Sequence, residues 1–173
     1  NARGVSRGAQ GGRRSLATYP EFLQLRDQAT AFASVMASAS MLQRTEARVG
    51  GGEPEPVGIR LVSASYFSTL GVSAFVGRTL DAPQEPAEGI APDAVISYEY
   101  WQRRFGAHPD AIGRTMTFRG GVVSIVGVTP PSFFGETVGE RPDAWIPLAM
   151  QATVLPGRNW LRDEPGSVEK LMW

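Results

Sequence analysis

Ala94-Val95-Ile96-Ser97-Tyr98-Glu99-Tyr100-Trp101-Gln102-Arg103-Arg104-Phe105-Gly106 places a strand, a helix and both helix boundaries in one short stretch. The apolar run Ala94–Ile96 predicts a short buried strand. Ser97 follows it with a side-chain oxygen suited to capping the first free amides of a helix. Gly106 stands where a helix ends in the left-handed conformation that glycine adopts without a Cβ clash. Between them Tyr98, Trp101 and Phe105 recur at helical spacing, so the aromatic face is expected to be core. Two β-rich runs, Arg114–Arg119 and Val122–Val128, then flank Gly120-Gly121. A glycine pair between two such runs predicts a tight hairpin turn with positive φ. Thr129-Pro130-Pro131 ends the second run. Asp143–Pro147 predicts one more short strand, with Pro147 placing it at an edge or ending it.

Working towards the N-terminus, Pro20 to about Ala37 predicts a helix. Thr18 and Glu21 form a capping box, and Pro20 sits in the first turn, where its missing N–H costs nothing. Phe22, Leu25, Ala29, Phe32 and Met36 give an apolar stripe expected to face a sheet. Gln43–Val49 and Val57–Val62 predict strands joined by a Gly50-Gly51-Gly52-Glu53-Pro54 loop. Ser63 or Ser65 is expected to cap a short helix from Tyr66 to Leu70, with Gly71 ending it. Strands and helices thus mix without strict alternation. The expected fold is α+β: mixed small sheets with a few packed helices, in two subdomains.

The predicted organisation is a flexible linker over residues 1–17 and a first α+β subdomain over 18–80, left incomplete by this chain. A connecting loop over 81–93 is rich in proline and acids. A second, β-rich subdomain follows over 94–150, and residues 151–173 return towards the first. The linker carries Arg3, Arg7, Arg13 and Arg14 among glycines with no acid, a composition that buries too little apolar surface to order itself. The same arginines could instead form a basic arm. The apolar end Leu171-Met172-Trp173 resembles an interrupted element. Both ends are expected to be cuts inside a longer polypeptide.

The 173 residues carry a formal net charge of zero, which argues against a nucleic-acid partner, since phosphate binding needs a concentrated basic surface. With no cysteine, disulfides, thiolate zinc sites and cysteine nucleophiles are excluded together. The longest apolar runs are strand-sized, short of the roughly 20 residues of a membrane-spanning helix.

Chemistry finds little support in the residues. A serine triad needs a histidine base, and His108 is the single histidine, in the turn Gly106-Ala107-His108-Pro109-Asp110. Gly71-Val72-Ser73-Ala74-Phe75 only loosely resembles a nucleophile elbow, because its final glycine is missing. The triple glycine at 50–52 lacks the Lys-Ser/Thr of a phosphate loop, and Lys170, the single lysine, precedes Leu171. Glu99, Glu136, Glu140 and Asp143 are the acids from which a catalytic carboxylate pair could be drawn. The expectation is no catalytic, cofactor-binding or metal-binding residue and no cofactor.

One pattern is specific in its order. Ser97-Tyr98-Glu99-Tyr100-Trp101, Arg104-Phe105-Gly106, Pro109, Ile112-Gly113-Arg114-Thr115 and Val126-Gly127-Val128-Thr129-Pro130 with Phe133 resemble the periplasmic core domain of MacB-type permeases. Tyr19-Pro20-Glu21-Phe22, Leu25-Arg26, Val62-Ser63, Tyr66-Phe67, Leu70-Gly71-Val72 and Gly77-Arg78 agree. The resemblance covers residues 18–150 and is nearest to the duplicated orphan permeases of soil acidobacteria. Gly113 and Gly127 are expected where the chain turns or packs closely.

The resemblance implies an extracytoplasmic domain between two transmembrane helices of its own chain, in a permease that pairs with a second copy and with a separate cytoplasmic ABC ATPase. The implied role is mechanical and non-enzymatic, with the 81–93 loop as a candidate junction between moving parts. Two other readings stand beside it. One is a ligand- or peptide-binding module, with the Pro130–Gly139 loop and Trp145 lining a pocket. The other is a hydrolase using His108 and a serine.

Overall fold

A computed structural model describes residues 6–7, 15–17, 19–28, 34–80, 92–157 and 171–172. The strands are β1 (Ser6–Arg7), β2 (Ser15–Ala17), β3 (Ser38–Ala39), β4 (Gln43–Val49), β5 (Pro54–Val62), β6 (Val76–Gly77), β7 (Asp93–Ile96), β8 (Thr115–Phe118), β9 (Gly121–Val128), β10 (Ala144–Pro147) and β11 (Leu171–Met172). The helices are α1 (Tyr19–Gln28), α2 (Tyr66–Thr69), α3 (Tyr98–Phe105) and α4 (Gln151–Val154), with 3₁₀ turns at Pro109–Ala111 and Leu148–Met150. The α+β class holds.

The expected small sheets are joined into one mixed sheet. β10 runs parallel to β5 and antiparallel to β7, and β7 runs parallel to β9. β9 forms the hairpin with β8, β8 pairs with β4, and β4 pairs back to β5. The pairings β5-β10-β7-β9-β8-β4 therefore close on themselves into a ring. Hydrogen bonds thus cross between residues 43–62 and 93–147, and residues 81–91, holding most of the expected connecting loop, lie outside the described residues.

Alternation fills the ring. Ala47 and Val49, Val57, Ile59 and Leu61, Ala94 and Ile96, Met116 and Phe118, Val123 and Ile125, and Ala144 and Ile146 share one buried cluster. Each pair is spaced by two residues, as side chains on one face of a strand must be. Trp101 and Tyr100 of α3 and Phe22 of α1 join the same cluster. The opposite face carries a smaller core of Val62, Tyr66, Phe67, Leu80, Val95 and Trp145. A register shift keeps β9 in phase: Ala94 faces Ile125, but Val95 faces Gly127, so Val126 is the extra residue of a bulge. The bulge returns Val128 to the larger core beside Ile96.

Several local expectations hold. Ser97 Oγ accepts from the Tyr100 amide and Gly106 has φ 58°, capping α3 at both ends. Gly113 turns at φ +85°. Gly127 packs closely: a Cβ there would stand 1.9 Å from the Arg78 carbonyl oxygen, because β6 pairs along β9 at this point.

Others change. α1 ends at Gln28 and residues 34–37 are not helical, so the helix does not reach Ala37. Its inward face is Tyr19, Phe22 and Leu23, while Leu25 is 40% exposed. Thr18, Ala29 and Phe32 lie outside the described residues. Neither serine before α2 caps it with a side chain: Ser63 Oγ accepts from the Ala37 amide at 2.9 Å, and Ser65 Oγ donates to the Val35 carbonyl at 2.6 Å. They instead tie residues 34–37 to the sheet. In the β8–β9 hairpin Phe118 pairs with Gly121, so the loop is Arg119-Gly120, and neither glycine has positive φ. Their missing Cβ atoms admit α4. A Cβ on Gly120 would stand 2.7 Å from the Thr153 carbonyl oxygen, and one on Gly121 2.5 Å from the Thr153 methyl.

Pro147 ends β10, which is an inner strand rather than an edge. Within the expected linker, Ser6–Arg7 and Ser15–Ala17 form paired strands. Leu171–Met172 forms β11 between β2 and β3.

Candidate functional site

The densest polar chemistry lies on the outer face of the ring. Trp145 stands between Arg60 on β5 and Val95 on β7, so these three side chains form one row. Alternation in Ile59-Arg60-Leu61 sends Arg60 to that face, where it is 1% exposed. A guanidinium buried in this way must be matched by carboxylates and acceptors. The loop between β9 and β10 supplies two. Glu140 pairs with Arg60 Nη2, and Glu136 Oε1 lies 3.8 Å from Nε. Arg60 Nη1 donates to the Ala39 carbonyl at 2.7 Å. Glu136 also accepts from Ser38 Oγ at 2.6 Å and from the Tyr66 hydroxyl. Burial first, and then the Glu136 carboxylate, hold the Tyr66 phenol well above its ordinary pKa.

Phe133 closes the apolar side of this arrangement, 5.4 Å from Trp145 and 5.8 Å from Phe67 between ring centroids. Trp145 is fully buried, so it does not line an open pocket with the Pro130–Gly139 loop. The loop is folded over it. The groove that Phe133, Phe134 and Arg141 make with Ser97–Glu99 encloses about 10 Å³, room for about one water molecule and far below an ordinary small-molecule site.

A second network ties α3 to the sheet. Tyr100 donates to Glu55, whose Oε2 lies 3.1 Å from Arg104 Nε. Burial and then Glu55 raise the Tyr100 pKa. Arg103 pairs with Asp143 Oδ1 at 2.8 Å, which raises its pKa, and Asp143 Oδ2 accepts from the Gly58 amide at 2.8 Å.

The four acids singled out in the sequence are thus all paired with arginines: Glu99 with Arg141, Asp143 with Arg103, and Glu136 and Glu140 with Arg60. Glu136 and Glu140 converge on one guanidinium instead of flanking a cleft. His108 caps the 3₁₀ turn, its Nδ1 accepting from the Asp110 amide at 3.3 Å. It lines a surface cleft with Val49, Gly50, Gly52, Arg104, Phe105, Asp110, Ala111 and Arg114, which holds no serine. Ser73 is exposed in the segment before β6. Lys170 lies outside the described residues. Among the described residues no group of three His, Asp or Glu could hold a metal ion. Sequence reasoning passed over Arg60, although an arginine inside the apolar run Val57–Val62 was its visible signal.

The family model of the MacB-like periplasmic core domain matches residues 2–168. This chain belongs to that family. The MacB-like domain is accordingly a periplasmic-type domain of an ABC transporter permease. Its fold is shared with the periplasmic region of MacB from Actinobacillus actinomycetemcomitans, at 14% identity and a TM-score of 0.61 over 88% of this chain and 67% of that one. It is shared also with the extracellular domain of the noncanonic ABC-type transporter YknZ from Gram-positive bacteria, at 18% identity and a TM-score of 0.58 over 80% of this chain and 66% of that one. The MacB-like domain thus spans about two thirds of each solved region. No curated protein matches it. Among the described residues no helix is long and apolar enough to cross a membrane.

Proposed function

We propose that this domain transmits conformational change between the transmembrane helices of its own chain and the exterior, with no catalysis, cofactor or metal of its own. The proposed partners are those helices, a second permease copy and a separate cytoplasmic ABC ATPase; no nucleic acid is among them. The family match over residues 2–168 carries the reading. The closed ring of pairings favours movement of the domain as one body over bending at residues 81–93.

The test uses the full-length permease with its ATPase. This domain is free of cysteine, so cysteines introduced into it are labelled selectively once any elsewhere in the permease are replaced. Spin labels on Thr117→Cys report the distance between two copies, and a Glu53→Cys/Val138→Cys pair reports distances inside one domain. A non-hydrolysable ATP analogue is expected to shift the first and leave the second unchanged. Nucleotide binding with no change between copies would overturn the proposal.

A further inference from the structure

The glycine turn between β4 and β5 faces a cleft that the proposed mechanical role leaves unused. Gly50 and Gly51 adopt φ +59° and +78°, and the Gly52 amide closes the turn on the Val49 carbonyl at 3.1 Å. Two guanidinium groups approach this turn from different parts of the chain. A Cβ on Gly52 would stand 3.0 Å from Arg104 Nη2, and one on Gly50 3.7 Å from Arg114 Nη1. Glycine at 52 thus leaves the space that the Arg104 guanidinium occupies. His108 completes the lining of a cleft of about 410 Å³.

The arginines of this cleft are only partly matched by ion pairs. Arg104 is held by Glu55 through Nε at 3.1 Å and by the Val49 carbonyl through Nη2 at 3.5 Å. Its Nη1 has no partner among the described residues. Asp110 is the one acid in the lining, its Oδ2 3.4 Å from His108 Nδ1, an ion pair only when the imidazole is protonated. Arg114 is exposed and has no acid within ion-pair distance among the described residues. The Asp110 amide donates to His108 Nδ1, which leaves the imidazole proton on Nε2 as a further donor.

We propose that this cleft binds a tetrahedral oxyanion of the phosphate class, held by Arg114 and Arg104 with His108 as a third donor. Guanidinium groups match the oxygens of phosphates and carboxylates in pairs. Donors from three separate residues call for more acceptor oxygens than the two of a carboxylate, and a phosphate presents them in several directions. The source is either free phosphate or a phosphate group on a lipid surface.

The experiment titrates the full-length permease in detergent with inorganic phosphate. In parallel, the detergent-free protein in a zwitterionic lipid nanodisc is added to phosphatidylcholine vesicles with or without phosphatidic acid. Saturable binding is expected in at least one arm, the arm identifying the source. Arg114→Ala is expected to weaken it at least about tenfold, as the loss of a charged hydrogen-bonding partner does. Arg114→Lys, which keeps the charge and loses the fork, is expected to fall between. Arg44→Ala, at an exposed arginine outside the cleft, is expected to bind as the unaltered protein does. Because Arg114 is exposed, its variants should keep the unaltered melting temperature without phosphate, which separates lost binding from lost folding. Absence of saturable binding in both arms, or equal weakening by Arg44→Ala and Arg114→Ala, would overturn the proposal.

Discussion

Trp145 stands directly beside Arg60 on the parallel neighbouring strand, and both side chains are sealed from solvent. The largest aromatic side chain and a permanent charge thus share the middle of the sheet. They are compatible because one loop serves both: Phe133 covers the indole, while Glu136 and Glu140 reach the guanidinium. The loop between β9 and β10 is therefore fastened at an apolar point and an ionic one.

Removing the cation alone should be costly. Arg60→Met leaves Glu140 and the Ala39 carbonyl without their partner and Glu136 without its cation, and urea unfolding is expected to show a loss of about 3 kcal/mol. Adding Glu136→Gln and Glu140→Gln to that variant should recover part of the loss, because the unmatched charges are then gone. A triple variant less stable than the single one would contradict the ionic account.

Phe133→Ala tests the apolar fastening. Phe133 is only partly buried, so the expected loss is about 2 kcal/mol, below the full cost of a core phenylalanine. Trp145 should gain solvent contact, seen as a red shift in emission that disappears when Trp145→Phe is added.

Two glycine substitutions should differ in mechanism. At Gly127 an added methyl would meet the Arg78 carbonyl at 1.9 Å, so Gly127→Ala must displace β6 and should cost about 3 kcal/mol. At Gly71 nothing stands within 4 Å, and only the left-handed φ of +67° opposes a side chain. Gly71→Ala should cost about 1 kcal/mol. Calorimetric melting of both variants orders the two effects.

Alkaline pH should destabilise the domain through Tyr66 and Tyr100. Both phenols are raised in the folded state, by burial first and by Glu136 or Glu55 next. A raised folded value means that the folded state keeps a proton that the unfolded chain releases. The contribution is complete below the unfolded tyrosine value of about 10 and is lost progressively as pH rises above it. Absorbance at 295 nm should show these two phenols ionising only together with unfolding. Tyr66→Phe and Tyr100→Phe should each flatten the decline in stability above that pH.

Much of the local structure was legible in the residues. Ser97 and Gly106 bound α3, since capping depends on a side-chain oxygen at one end and a missing Cβ at the other. Gln43–Val49 and Val122–Val128 read as strands by β-propensity and alternation. The end of α1 was less legible: Met36 kept the helical spacing, yet Ser63 and Ser65 bond to residues 37 and 35 and hold that segment against β5. No pattern within residues 20–37 encodes that tie.

The sequence by itself determined the elements around residues 94–128 and the family pattern, because caps, turns and two-residue alternation are properties of neighbouring residues. Tertiary structure alone decided that β4 pairs with both β5 and β8, that the Gly120-Gly121 pair makes room for α4, and that Arg60, Glu136, Glu140 and Tyr66 form one buried network. Strand partners and charge partners far apart in sequence are selected by the burial they achieve together, and no local spacing records that choice.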